Sequence, residues 1–311
     1  MDPSQTLFII HITDGYSFRN TIQTVKGEID RSTMILSPTS IEISFINTTK
    51  SAGHKIVLYP QELTMYRYNI RDTNGNLFPE YPIAFETEEF FNTTKGIGRR
   101  DGVRIYWLSG EGRFNVHPIK TSAKDPGRAS ALFVKIINME HIRYDVPEGY
   151  DPDPNIRVQA KDFADVCAQA NTLKCSTLNI VGESNRVTFK AMLPNNTIAA
   201  VNRFTSQVDI PRQIAPIYPS NLDEIDYLIG NLRIAESPAI SSVGLSLNVI
   251  KEEDLKTVKV PIATVKALSK IHNVSPPGTL LQFYFAENKP TKIETRIGTY
   301  GSYTICLRNI N

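Results

Sequence analysis

The chain has 311 residues, a hydrophobic fraction of 41% and a formal net charge of +2. This length predicts two domains with a core each, and no apolar run is long enough for a transmembrane helix, so we expect no membrane contact. The N-terminus lacks the basic start of a secretory signal, and Cys167, Cys175 and Cys306 form no paired motif. Both features indicate an intracellular protein with reduced thiols.

The first half of the chain contains two copies of one order of elements. Residues 7–12 alternate as a strand, residues 15–29 place apolar residues at helical spacing, and residues 32–47 alternate as two strands around a Ser-Pro-Thr turn. The same order returns in residues 81–119, where Gly110-Glu111-Gly112 marks a hairpin.

The second half repeats this order twice more. Residues 156–191 are predicted as strand, helix, strand, turn and strand, and residues 257–310 follow the same sequence of periods. Four copies, two in each half, predict an internally repeated α+β fold with many strands and few helices.

Composition divides the chain into two domains and a linker. The stretch from Met139 to Asn155 is rich in Pro, Asp and Gly, as extended linkers are, and the stretch around RQIAPIYPSNLDEIDYLIGN has too many prolines for regular strand pairing. We therefore expect an N-terminal domain at 1–140, a linker at 141–154, and a C-terminal domain at 155–311 with an insertion at about 202–232.

Two tandem domains, each a doubled strand-helix-three-strand unit, resemble the proliferating cell nuclear antigen (PCNA) family of DNA sliding clamps. The similarity is carried by the linker YDVPEGYDPDP followed by IRVQAKDFADVC, and by KPTKIETRIGTYGSYTICL near the C-terminus. In that last segment Pro290, Ile297 and Gly301 match the register of the family's last hairpin. The resemblance covers nearly the whole chain.

The resemblance implies a homotrimeric ring around double-stranded DNA that serves as a sliding clamp and DNA polymerase processivity factor. It implies no enzymatic activity, no cofactor and no metal, with peptides of a DNA polymerase, ligase or nuclease and an ATP-using clamp loader as partners. The insertion and the weak similarity suggest a diverged member from a large DNA virus. Such a protein would act in the host nucleus or at a cytoplasmic viral replication site.

The family directs its short helices toward a central hole, where lysines and arginines contact phosphates without reading bases. Arg19 and Lys26 share one face of the first predicted helix, and Lys266 and Lys270 lie one turn apart in the fourth. The third helix departs from the family with Asp165. The predicted DNA-binding residues are Arg19, Lys26, Lys95, Arg99, Arg100, Lys161, Lys174, Lys266 and Lys270.

The family also binds a short helical partner peptide in an apolar pocket beneath the linker. The matching residues here are Ile46, Tyr144, Val146, Pro147, Pro290, Cys306 and Leu307. Cys306 and Arg308 differ from the family's usual residues, which predicts a different partner specificity.

Ring closure in the family joins edge strands of two neighbouring subunits. Residues 131–138 are predicted as an edge strand of the first domain, and its partner is predicted in residues 197–204 or 244–251.

Two other functions remain open from the sequence. A structural, capsid-like protein fits the abundance of strands, although it predicts no basic short helices. An uncharacterised nucleic-acid-processing enzyme is the other alternative, but the chain has no GxxxxGK[ST], HExxH, CxxC or GxSxG motif. The five histidines are scattered, and the acidic cluster Asp223-Glu224-Asp226 is interpreted as a solvated turn rather than a metal site.

Overall fold

The computed structural model describes residues 5–26, 29–121, 131–183, 185–205 and 256–309. Within these ranges the chain forms 17 strands and four α-helices, arranged in three antiparallel sheets. None of the helices in these ranges is long and apolar enough to cross a membrane.

The helices are α1 (Gly15–Val25), α2 (Thr87–Thr94), α3 (Ala160–Thr172) and α4 (Ile262–Leu268). The strands of the first half are β1 (Thr6–Ile12), β2 (Arg31–Leu36), β3 (Ile41–Ile46), β4 (Ala52–Leu58), β5 (Met65–Tyr68), β6 (Tyr81–Glu86), β7 (Gly102–Leu108), β8 (Arg113–Ile119) and β9 (Leu132–Lys135). Those of the second half are β10 (Ile156–Gln159), β11 (Thr177–Gly182), β12 (Arg186–Met192), β13 (Ile198–Thr205), β14 (Lys256–Pro261), β15 (Leu280–Tyr284), β16 (Thr291–Ile297) and β17 (Gly301–Leu307).

Each predicted copy runs as strand, helix and three strands. The copies are β1-α1-β2-β3-β4, β6-α2-β7-β8-β9, β10-α3-β11-β12-β13 and β14-α4-β15-β16-β17. The predicted α+β fold with a doubled unit in each half is therefore confirmed. Strand β5, which pairs with β1 between the first two copies, was not predicted.

The three sheets connect the copies in a fixed order. The five-stranded sheet has the order β5-β1-β7-β8-β9, and the four-stranded sheet has the order β13-β12-β11-β14. The eight-stranded sheet, β10-β15-β16-β17-β4-β3-β2-β6, takes four strands from each half of the chain. Its two halves meet where β17 pairs with β4, from Gly301 opposite Leu58 to Leu307 opposite Ala52.

Aromatic side chains pack each pair of helices against the sheets. Phe90 of α2 contacts Phe18 of α1, Phe85 of β6 and Phe114 of β8, with ring centroids 5.0 to 6.0 Å apart. In the second half Phe163 of α3 lies 5.5 Å from Phe283 of β15, in an equivalent position. These rings are fully buried, so the opposite faces of the helices carry the polar residues.

The first helix begins and ends where local chemistry requires. The Asp14 side chain caps it by accepting a 3.0 Å hydrogen bond from the Ser17 N–H. Lys26 has φ −58° and ψ 132°, which is not helical, so the predicted helix over 15–29 was too long. Ile29 is nevertheless buried, in the segment that leads into β2.

Several expectations concern residues that the structure does not describe. Of the predicted insertion, residues 202–205 belong to β13, and residues 206–232 lie outside the described ranges. The alternative interface strand at 244–251 and the cluster Asp223-Glu224-Asp226 also lie outside them.

His54 of β4 is buried in the core at the point where the two halves join. Its Nδ1 lies 2.8 Å from the Tyr303 hydroxyl of β17, and its ring stacks on Phe45 at 5.1 Å between centroids. Burial lowers the pKa of His54 from 6.5 to about 3, because a charged imidazole would lose its hydration there.

We expect His54 to make the protein less stable in mild acid. Below pH 6.5 the unfolded chain binds a proton that the folded chain excludes until about pH 3. The free energy of unfolding should therefore fall by about 1.4 kcal/mol per pH unit from this site, or about 2 kcal/mol near pH 5. Urea unfolding of wild type and His54→Gln at neutral pH and near pH 5 measures this loss. His141→Gln, at an exposed position, is the control, and an equal loss in His54→Gln and wild type would contradict the assignment.

Candidate nucleic-acid interface

The four helices lie in one layer that crosses the boundary between the halves. Helix α1 contacts α2 and α4, and α4 contacts α3. The Asn20 side chain of α1 donates a 2.9 Å hydrogen bond to the Asn273 carbonyl, in the 3-10 turn that follows α4. Because the helices bury their apolar faces against the sheets, their polar faces together form one surface, which we call the helix layer.

Two predicted DNA-binding residues on α1 are already engaged with the protein. Arg19 donates from Nη1 to the Ile97 carbonyl at 3.0 Å. Lys26 Nζ lies 3.5 Å from Glu88 Oε1 and 4.2 Å from the centre of the Phe91 ring. Both side chains are only partly exposed, so their contacts with the protein compete with any ligand.

The remaining predicted residues are exposed and lie at helix ends or on the helix layer. Lys161 pairs with Asp165 one turn later at 3.1 Å, but both are exposed, and solvent makes such a pair weak. The other exposed residues are Lys95, Arg99, Arg100, Lys174, Lys266 and Lys270. The structure thus brings the basic residues of all four helices to one layer, with α3 the least basic.

Tyr16 on the first turn of α1 is a residue that the sequence analysis missed. Its ring lies 5.6 Å from the Arg19 guanidinium and 6.0 Å from that of Arg99, so two cations flank one aromatic ring. Hydrogen bonds from Arg99 and Asn20 lower the pKa of the Tyr16 phenol. This contact holds Arg99 beside α1, although the two residues are far apart in the sequence.

The linker crosses the outer side of the eight-stranded sheet. The Ile142 N–H donates to Thr33 Oγ1 of β2 at 2.9 Å, and the Tyr150 hydroxyl donates to the Pro290 carbonyl at 2.7 Å. Lys289 donates from Nζ to the carbonyls of Glu148 and Gly149, both at 2.6 Å. The linker is thus fixed to both halves of the sheet.

Tyr144 fixes the middle of the linker. It is 5% exposed, and its ring lies on Gly53 so closely that a Cβ on that glycine would be 2.2 Å away. Its hydroxyl is buried against the Cys306 side chain, and burial raises the pKa of both groups. Only glycine at position 53 leaves room for this ring.

The residues of the predicted partner pocket are divided between two grooves on either side of Tyr144. Pro147, Pro290 and Leu307 line a groove of about 700 Å³ that Phe285 also lines. Ile46, which is 38% exposed, lines a second groove of about 550 Å³ with Ile142. Tyr144 and Cys306 are buried between the grooves, and Val146 is partly exposed nearby.

Strands β9 and β13 are the candidates for contact between subunits. Within the residues described, β9 ends the five-stranded sheet and β13 ends the four-stranded sheet. Leu132 and Phe133 of β9 are 44% and 51% exposed, an unusual exposure for large apolar residues at a sheet edge.

The described residues contain no group of three or more His, Cys, Asp or Glu side chains that could hold a metal ion. Cys167, Cys175 and Cys306 are buried and form no disulfide.

The fold is similar to that of two crystal structures of PCNA proteins. No protein-family model and no curated protein matches the sequence. The crystal structure of proliferating cellular nuclear antigen from Entamoeba histolytica is 8% identical, with a TM-score of 0.66 over 98% of this chain and 100% of that chain. The PCNA2–PCNA3 complex from Sulfolobus tokodaii is 13% identical, with a TM-score of 0.63 over 96% and 98%. The described residues therefore have the fold of these PCNA structures.

Proposed function

We propose that the protein is a non-enzymatic DNA sliding clamp, a homotrimeric ring that encircles duplex DNA and holds a DNA polymerase at the primer end. The observation that carries the proposal is the helix layer: four helices of a complete clamp fold present exposed lysines and arginines on one surface. A closed ring leaves DNA only by opening or by sliding off an end, so weak phosphate contacts are sufficient.

In this proposal the helix layer lines the hole and contacts phosphates. The main phosphate contacts are made by the exposed residues Lys95, Arg99, Arg100, Lys266 and Lys270. Arg19 and Lys26 mainly stabilise the helix layer through their contacts within the protein. DNA binding is then independent of base sequence and weakens with salt. The logarithm of the binding constant falls with the logarithm of the salt concentration, with a slope of about 0.9 for each phosphate contact.

The ring closes when β9 of one subunit pairs with β13 of the next. The two strands belong to opposite halves, so this pairing is head-to-tail and closes into a ring when the rotation between subunits fits. Burial of Leu132 and Phe133 in that contact would remove the exposed apolar edge.

Light scattering tests the assembly directly. The wild-type particle should have three times the 34.9 kDa mass of one chain. Leu132→Glu with Phe133→Glu should shift it to monomers, because each glutamate would be buried without a partner charge. The control, Leu77→Glu, alters an exposed apolar residue outside β9 and should remain trimeric. Wild-type monomers at every concentration and salt would refute the ring.

Retention on circular DNA tests the helix layer. Charge reversal of Lys95, Arg100, Lys266 and Lys270 to Glu should reduce the loaded fraction about tenfold or more at low salt, because four phosphate contacts become repulsions. Light scattering should still show the wild-type mass. Lys50→Glu with Arg308→Glu changes charge on exposed residues outside the helices and serves as the control. If the fourfold variant were retained as well as wild type, DNA would bind elsewhere.

We further propose that the larger groove beside Tyr144 receives partner peptides from a polymerase, ligase or nuclease. Three of the predicted pocket residues, Pro147, Pro290 and Leu307, line this groove beside Phe285, and charged residues such as Lys289 border it. Of the predicted pocket residues, Ile46 alone lines the other groove. Because Tyr144 occupies the space between the grooves, a peptide can use the larger one without displacing the linker.

A helical peptide with aromatic and aliphatic anchors distinguishes the two grooves. Pro290→Glu should weaken its binding about tenfold, since an apolar anchor would then face a charge, while Ile46→Glu should leave affinity unchanged. Fluorescence anisotropy gives both dissociation constants. If Ile46→Glu alone weakened peptide binding, the peptide would bind in the smaller groove instead.

We also propose that the chain is a diverged clamp of a large DNA virus. The low identity to the Entamoeba and Sulfolobus structures supports the divergence. It would act in the host nucleus or at a cytoplasmic viral replication site, and an ATP-using loader would open the ring.

A further inference from the structure

The outward face of the five-stranded sheet has an unusual charge composition. Its strands β5, β1, β7, β8 and β9 contain no aspartate or glutamate. Their ionisable basic residues are His11, Arg67, Arg104, Arg113, His117 and Lys135. We call this surface the basic face. Sheet faces exposed to water usually mix both signs of charge, so this composition requires an explanation.

Strand register places the basic residues in adjacent rows. His11 of β1 lies opposite Met65 of β5 on one side and opposite Arg104 of β7 on the other, and Arg104 lies opposite His117 of β8. In the next row Ile9 lies between Arg67 and Tyr106. Opposite residues on one face have Cβ atoms about 5 Å apart, so each row forms a continuous strip.

The charges of the basic face are not neutralised as they are elsewhere. On the eight-stranded sheet Lys55 pairs with Glu42 at 2.9 Å, and Lys292 with Glu294 at 3.4 Å. Arg67 and Arg104, in contrast, form no ion pair with any carboxylate of the described ranges, and Arg104 Nε is buried there without a hydrogen-bond partner.

Among the described residues, carboxylates approach the basic face at its rim. Glu111 belongs to the β7–β8 hairpin and accepts a 3.0 Å hydrogen bond from Asn115. It is close enough to Tyr106 to raise the pKa of that phenol, after the larger effect of burial. No carboxylate of the described ranges shifts the pKa of His11 or His117.

The two histidines respond to Arg104. Partial burial and then the Arg104 charge lower the pKa of His11 and of His117. Arg104 is the charged residue that lies opposite each histidine in the neighbouring strand. On its other side His11 lies opposite Met65 of β5, and the pairing of β8 with β9 ends at Val116, before it reaches His117. A bound carboxylate would offset Arg104 and raise the pKa of both histidines.

We propose that the basic face binds an acidic segment of a partner protein, in which carboxylates alternate with apolar side chains. Arg67 and Arg104 receive the carboxylates, and Met65, Ile9 and Tyr106 provide apolar contact between them. A cavity of about 290 Å³ beside Arg67, lined by Ile9 and Tyr68, has room for one apolar side chain.

This surface is distinct from the proposed clamp function. The buried face of the same sheet packs on α1 and α2, so the basic face points away from the helix layer. Binding there requires neither DNA nor a closed ring.

A labelled short peptide that alternates glutamate with leucine and tyrosine is the probe, and fluorescence anisotropy is the measurement. Arg67→Gln with Arg104→Gln should weaken binding about tenfold or more, since each charge-assisted contact contributes more than a neutral one. The matched control is Arg157→Gln with Arg296→Gln, which removes two exposed arginines from the outer face of the eight-stranded sheet and should retain wild-type affinity. Arg67→Gln alone, at an exposed position, gives an intermediate loss even if the double variant folds poorly.

Two further readouts identify the chemistry. The same peptide with glutamine in place of glutamate should not bind. Affinity for the acidic peptide should increase as the pH falls toward about 6, and His11→Gln with His117→Gln should abolish that increase, because these two groups take up the protons.

Three outcomes would overturn the proposal. The first is equal peptide affinity in the two double arginine variants, and the second is equal affinity of wild type for the glutamate and glutamine peptides. The third is that Arg67→Gln with Arg104→Gln loses binding to duplex DNA but keeps binding to the peptide. The last result would assign the face to nucleic acid. Phe133 lies in the same row as Asn115 and Tyr106, so the variant that separates this proposal from ring formation is Leu132→Glu alone, which leaves the basic face unchanged. Peptide binding should survive when light scattering shows this variant to be monomeric.

Discussion

The pairing of β17 with β4 is the contact on which the rest of the molecule depends. His54 and Tyr303, whose side chains contact each other across this pair, are 249 residues apart, and the pairing makes one sheet from two halves of the chain. Because this sheet is continuous, the helices packed on its inner side lie in one layer, and the linker can cross its outer side while bonded to β2 and to the last hairpin. The helices and the linker thus lie on opposite sides of the eight-stranded sheet as a consequence of one strand pair.

Three surfaces with different chemistry result from this arrangement. The helix layer is polar and basic, but α1 uses Arg19 for its own packing, so the exposed charges concentrate on α2 and α4 and at the ends of α3. The outer side of the eight-stranded sheet has paired charges and a linker anchored by Tyr144. The basic face of the five-stranded sheet has neither feature. In the proposals made above, DNA and protein partners contact different sides of the sheets, so the binding of one does not block the other.

Alternation and helical spacing were enough to predict the four copies and the α+β fold, since both depend on residues that are neighbours in the chain. Strand β5 was missed because MYRY has only four residues and none of them is buried. The site was harder to predict. Sequence showed which residues are basic, but not that Arg19 bonds the Ile97 carbonyl or that Tyr16 lies between two arginines. Likewise the sequence predicted Tyr144 in the pocket. It did not show that the ring lies on Gly53 and separates two grooves. Apart from the Tyr16–Arg19 contact within α1, each of these contacts joins segments that are distant in the sequence.

The β4–β17 pair also determines when the eight-stranded sheet can form during synthesis. Strand β4 emerges early from the ribosome, yet one side of it stays unpaired until Gly301–Leu307 has been made. An open edge with alternating buried apolar residues is prone to pair with other chains, and contacts this distant in sequence form slowly. A chain that ends before β17 therefore leaves its N-terminal half with an exposed edge. Synthesis of β17 is thus the step that closes this edge of the N-terminal half.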